Sequence, residues 1–110
     1  HFIKNMDPQD FLKLVYNSDG IVGNSSCAIR ECSFLGIPAV NIGTRQSNRE
    51  RGPNVVDVDY DRISINKAIN DHCNGKVKGV TLYGDGTAGE KIAKICSKIQ
   101  LSFSKSINYL

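Results

Sequence analysis

Aromatic residues make up only 7% of the chain and tryptophan is absent. The 14 lysines and arginines give a net charge of just +3 and are spread along the sequence rather than gathered. A nucleic-acid-binding surface uses a dense basic face interleaved with aromatics, so that class is excluded. No apolar run approaches the roughly 20 residues of a membrane span, and no charged-then-apolar leader suggests secretion. Histidine is scarce, with His1 at the chain start and His72 late in a helical segment, where it reads as a surface residue. Without a histidine near any serine, and without a GxSxG elbow, nucleophilic hydrolase chemistry has no apparatus here. The four cysteines, Cys27, Cys32, Cys73 and Cys96, contain no CxxC pair. Zinc sites draw ligands in closely spaced couples, so these read as buried free thiols in a reducing cytosol. No metal and no cofactor are expected.

What remains is 40% hydrophobic and 23% charged in 110 residues, the profile of one small globular domain. The chain opens on His1-Phe2-Ile3 without an initiator methionine, so it is expected to be a piece of a longer polypeptide. Asp7-Pro8-Gln9-Asp10 predicts a helix start, with Asp7 as N-cap and Pro8 at the first helical position. Phe11, Leu12, Leu14 and Val15 follow at helical spacing until Asn17-Ser18-Asp19-Gly20. Gly20–Gly23 predicts a short strand, and Asn24-Ser25-Ser26 caps a helix over 27–35 that Gly36 closes. Ala39–Ile42 and Asn54–Val58 predict two more strands, separated by a polar loop over 43–53. Helices are predicted over 61–73 and 87–99, the second with Ile92, Ala93, Ile95, Cys96 and Ile99 inside. Strands alternating with amphipathic helices imply an α/β fold with a parallel sheet. The expected division is a domain over 1–100 and a weakly patterned tail over 101–110.

The informative stretch is Gly20-Ile21-Val22-Gly23-Asn24-Ser25-Ser26-Cys27-Ala28-Ile29-Arg30-Glu31. Open α/β sheets bind ligands at the carboxyl ends of their strands, and a helix N-terminus there favours phosphate. Ser25 and Ser26 add hydroxyl donors, and Glu31 offers a carboxylate for both hydroxyls of a ribose. The same residues equally make an ordinary N-cap with an acidic first turn. A second loop carries Arg45, Arg49 and Arg51, whose guanidinium forks suit phosphate; the alternative is a solvated loop in which Glu50 pairs with its neighbours. Tyr83-Gly84-Asp85-Gly86-Thr87 lacks both the GxGxxG frame and the Walker lysine, so it reads as a turn into the last helix with Thr87 as cap. Asp57 and Asp59 alternate on one strand face and need not converge on a substrate.

Over 23–31 and 36–46 the sequence resembles the hydrolysing UDP-N-acetylglucosamine 2-epimerases, especially the branch that starts sialic-acid synthesis. The resemblance extends over about residues 5–100 and includes Arg49-Glu50 and the Tyr-Gly-Asp-Gly turn. It implies a Rossmann-like parallel sheet with flanking helices, part of the C-terminal domain of a GT-B-like two-domain enzyme that holds a UDP-sugar in its cleft. By position, Ser25 and Ser26 would contact the diphosphate, Glu31 the ribose, Arg45 the phosphates or sugar, and Met6 the uracil through its backbone. The family's acids and bases lie before the position of His1, so no catalytic residue is carried over, and the chain alone is expected to be inactive. Three alternatives stay open: a UDP-N,N'-diacetylbacillosamine 2-epimerase, a GT-B glycosyltransferase domain, and a non-catalytic nucleotide-binding or interaction module. An exposed sheet edge would favour a homo-oligomer such as a dimer.

Overall fold

The computed structural model describes residues 1–100, so the tail over 101–110 lies outside the described residues. The first helix, α1, spans Pro8–Tyr16. Asp7 caps it by accepting the Gln9 N–H at 2.9 Å, and Pro8 occupies a position whose N–H would have no helical partner. The chain then runs through three strands and three further α-helices, the second and third strands being joined by a loop. Strand β1 spans Ile21–Gly23, α2 Glu31–Leu35, β2 Ala39–Ile42, β3 Val55–Val58, α3 Arg62–His72 and α4 Ala88–Cys96. The three strands form a parallel sheet in the order β1-β2-β3, an α/β, Rossmann-like arrangement. Among the described residues no helix is long and apolar enough to cross a membrane.

The register fixes what lies at the carboxyl edge of the sheet. Ile21 pairs with Ala39 and Ala39 with Val55, which puts Gly23, Asn41 and Asp57 in one row across the three strands. Strand β2 is central, and Ala39, Val40 and Asn41 are fully buried. Val15, Cys27, Cys32 and Ile37 form the core beside it, with Phe11, Ile21 and Leu35 packed against them. Each such aliphatic side chain contributes about 1.5–3 kcal/mol when fully buried. Gly36 ends α2 at φ 69°, where a Cβ would meet the Val77 carbonyl at 2.1 Å. Only glycine accepts both the left-handed backbone and that contact.

One buried side chain ties these pieces together. Asn54, fully buried just before β3, donates from Nδ2 to the carbonyls of Ala28 and Ile37, each at 3.0 Å. Its Oδ1 accepts from Ser33 Oγ at 2.7 Å. Its backbone carbonyl receives Ala39 N–H at 2.7 Å and His72 Nε2 at 2.7 Å. A carbonyl only accepts, so His72 carries its proton on Nε2 in this contact.

Four expectations are corrected. The helix expected over 27–35 is a 3-10 turn at Ser26–Ala28 followed by the five-residue α2. Arg30, at φ −92° and ψ −71°, separates the two pieces. His72 is half-buried and bonded to Asn54 rather than free on the surface. Helix α4 is shorter than 87–99 and buries none of its residues; its Ile92 and Ile95, and Ile99 beyond its end, are each about 60% exposed. Its helical period was correct, but period says nothing of whether another element covers the apolar face. Of the cysteines, Cys27 and Cys32 are buried, whereas Cys73 is half-buried and Cys96 exposed.

Asn54→Ala leaves two carbonyls and a serine hydroxyl unpaired in the core. The expected loss is about 3 kcal/mol of unfolding free energy, read from the shift in a urea midpoint at unchanged slope.

Candidate functional site

Two loops meet at the carboxyl edge of the sheet. The first follows β1 and begins Asn24-Ser25-Ser26. The second, over 43–53, follows β2 and replaces the usual crossover helix with a run of turns. Gln46 joins them, because its Nε2 donates to the Asn24 carbonyl at 2.8 Å while the residue itself is 4% exposed. Arg45 reaches the same residue more loosely, with Nη1 at 3.5 Å from Asn24 O and 3.4 Å from Asn24 Oδ1. Its guanidinium is exposed and retains donors for an anion. Gly43 turns the chain at φ 73°, and a Cβ there would strike the Tyr60 ring at 2.2 Å. The loop after β3 therefore closes against the loop after β2.

Ser25, Ser26 and Glu31 line one cleft of about 290 Å³ together with Pro8, Phe11, Leu12 and Cys27. Ser25 is the N-cap of the 3-10 turn, and its Oγ accepts the Cys27 N–H at 3.3 Å. Capping occupies an acceptor lone pair and leaves the hydroxyl proton free to donate, so capping and anion binding do not compete for this residue. The backbone N–H groups of Ser25 and Ser26 donate to no other group among the described residues. Glu31 begins α2 instead of lying one to two turns inside a longer helix. With the helix split, two short segments cannot supply a long helix's macrodipole. The donors available at this end are the serine hydroxyls and the Ser25 and Ser26 N–H groups.

Glu31 Oε2 is buried without a hydrogen-bond partner. Leaving a buried acceptor unpaired costs about 1–3 kcal/mol, more when it is charged. Glu31 also borders a second, more apolar cleft of about 340 Å³ lined by Leu12, Arg30, Phe34 and Tyr83. Met6, half-buried ahead of α1, lines neither cleft.

The arginines of the second loop divide. Arg51 is committed to Asp57, with Nε 3.0 Å from Oδ2 and Nη2 3.2 Å from Oδ1. Glu50 makes no ion pair among the described residues, contrary to a loop held by its own charges; instead its carbonyl accepts the Tyr83 hydroxyl at 2.9 Å. Asp57 also accepts from Asn41 Nδ2 at 2.6 Å. The Arg51 guanidinium, helped by Asn41, holds the Asp57 carboxyl below the ordinary carboxylate value despite partial burial. Asp57 and Asp59 border a polar cleft of about 330 Å³ with Gly43, Thr44, Ser47 and Arg51. Thr87 makes no capping bond for α4; Asp85 takes its N–H at 3.0 Å. Nothing in spacing alone marked Gln46 or Asn41, or gave Arg51 to Asp57, because these side-chain partners lie 22, 16 and 6 residues away along the chain.

The sequence profile described as UDP-N-acetylglucosamine 2-epimerase matches residues 1–97. The chain belongs to this family. It is 38% identical over 103 residues to a UDP-N,N'-diacetylbacillosamine 2-epimerase (hydrolyzing) of Legionella pneumophila, covering 90% of this chain and 26% of that protein. It is 37% identical over 89 residues to a UDP-N-acetylglucosamine 2-epimerase of Neisseria meningitidis serogroup B, covering 77% of this chain and 24% of that one. A GDP/UDP-N,N'-diacetylbacillosamine 2-epimerase (hydrolyzing) of Campylobacter jejuni is 40% identical over 53 residues, 48% of this chain and 14% of its own length. The chain thus spans about a quarter of the length of the first two relatives. Its family is one of epimerase enzymes.

Asp57, with its carboxyl below the ordinary value, stabilises the fold fully above the unfolded carboxylate value, and that contribution is lost as pH falls through the folded value. Asp57→Asn should lower the thermal midpoint at neutral pH and flatten its fall below about pH 4, as measured by circular dichroism melts across an acid series.

Proposed function

We propose that this chain binds the UDP part of a UDP-sugar, as the nucleotide-holding portion of a hydrolysing 2-epimerase with a GT-B-like two-domain architecture. The observation that carries this reading is Glu31 Oε2, a buried acceptor without a partner in the cleft it shares with the Ser25 and Ser26 hydroxyls. A ribose is a fitting occupant because its two adjacent hydroxyls can both donate to one carboxylate. The diphosphate would then meet Ser25, Ser26 and their N–H groups, with Arg45 arriving from the neighbouring loop. Met6 would touch the uracil through its backbone.

In this proposal the chain binds and orients, and the acids and bases of the reaction belong to the remainder of the enzyme. UDP leaves by elimination and water adds to the resulting 2-acetamidoglucal, giving free N-acetylmannosamine when the substrate is UDP-N-acetylglucosamine. The enzyme would work in the cytoplasm on the route to sialic-acid-type sugars, and as a homo-oligomer. The Legionella relative favours a second substrate, UDP-N,N'-diacetylbacillosamine, because its name carries that sugar and its match covers more of this chain than the Neisseria match does.

Isothermal titration of the chain with UDP tests the site. Glu31→Ala should weaken UDP by about 1–3 kcal/mol, a factor of roughly 5–150. The loss for dUDP, which lacks one of the two ribose hydroxyls, should be smaller. Equal losses for the two nucleotides would remove Glu31 from the ribose, and no heat at millimolar UDP from a folded chain would remove the site. Arg45→Ala should weaken UDP but leave uridine binding unchanged, since uridine has no phosphate.

A further inference from the structure

Cys27 and Cys32 straddle Glu31 in the sequence, Cys27 on the 3-10 turn and Cys32 inside α2. Their sulfurs lie 4.0 Å apart, and the two residues are 8% and 0% exposed. The two differ in access. Cys27 is one of the residues that line the cleft with Ser25, Ser26 and Glu31, while Cys32 lines none of the clefts described and is closed to solvent. Neither thiol has a part in the binding contacts assigned above.

We propose that Cys27 and Cys32 form a peroxide-responsive dithiol beneath the nucleotide cleft, oxidised reversibly to an intramolecular disulfide. The Cys27 thiolate attacks one oxygen of hydrogen peroxide, the O–O bond breaks, and hydroxide leaves to be protonated to water. Cys27 is then a sulfenic acid. The Cys32 sulfur attacks the Cys27 sulfur, the S–O bond breaks, and a second water departs with the Cys32 proton. Two thiols lose two electrons in total, and one peroxide becomes two waters. Access assigns the roles: Cys27 borders the cleft, whereas Cys32 is closed to solvent, so the attacking thiol is the one on the cleft side.

A disulfide brings sulfurs to about 2.05 Å, so the 4.0 Å gap must close by about 2 Å. Cys32 is anchored in α2, which Asn54 holds through Ser33. The movement therefore falls on the three-residue turn that begins at Ser26 and is capped by Ser25. If UDP binds where proposed, the disulfide displaces the hydroxyls that meet its phosphates, and bound UDP shields Cys27. That coupling rests on the UDP reading; formation of the disulfide does not.

The test uses the full chain carrying Cys73→Ser and Cys96→Ser, so that only the two thiols in question remain. Stoichiometric hydrogen peroxide should remove both, and peptide mapping without reductant should find one Cys27–Cys32 linkage that dithiothreitol reverses. Adding Cys32→Ser should stop the reaction at a Cys27 sulfenic acid that dimedone traps. Survival of both thiols, or linkage only between chains, would overturn the dithiol. In the same protein, saturating UDP should slow the loss of thiols several-fold, and oxidation should weaken UDP. If UDP binds the reduced chain yet changes nothing, the link to the cleft is overturned while the disulfide stands. If UDP does not bind the reduced chain, the nucleotide reading fails, and the peroxide result decides the dithiol alone.

Discussion

The Asn54 carboxamide, wholly buried, ties the start of β3 to three groups that lie 17 to 26 residues earlier in the chain. Its two N–H bonds end the orphan status of carbonyls at Ala28, the last residue of the serine turn, and at Ile37, just before β2. Its oxygen takes the hydroxyl of Ser33 inside α2. A buried amide with both N–H donors and its oxygen bonded specifies one arrangement, since any slip leaves several groups unpaired at once. The serine turn, the glutamate helix and the start of β3 are therefore locked to each other through one side chain. That lock sets where Ser25, Ser26 and Glu31 stand relative to the sheet.

The carboxyl edge is built on this frame from two loops of different character. The loop after β1 is short and keeps its serine hydroxyls and N–H groups available. The loop after β2 is long and polar, and it is pinned where Gln46 donates to Asn24. Its three arginines are not equivalent. Arg51 is consumed by Asp57, which in turn is held by Asn41 from the middle strand. Arg45 stays exposed on the side facing Asn24. The charge density that the sequence suggested is thus divided between an Arg51–Asp57 ion pair and an exposed Arg45 near Asn24.

Membership of the UDP-N-acetylglucosamine 2-epimerase family is carried by a chain whose two loops meet at the carboxyl edge of a parallel sheet. The relatives differ in the sugar their names carry, while Ser25, Ser26 and Glu31 are proposed here for the UDP portion. Nucleotide affinity and sugar choice can therefore reside in separate parts of such an enzyme.

Elements with local causes were legible in the sequence. Asp7-Pro8 sets the start of α1, Asp61 starts α3 by accepting Ser64 N–H, and Gly36 ends α2, each through contacts within a few residues. The three strands and their parallel pairing followed from short apolar runs between helical ones. The strand-end placement of Ser25, Ser26, Glu31 and the arginine loop followed from the same alternation. What only the tertiary structure decided depends on partners distant in sequence. It broke the expected 27–35 helix in two, drew His72 inward to the Asn54 carbonyl, and gave Arg51 to Asp57. It left the apolar stripe of α4 uncovered and brought the sulfurs of Cys27 and Cys32 together. Backbone preferences act over one or two turns and can be read along the chain; burial and pairing are set by what another segment supplies, and no periodicity records that.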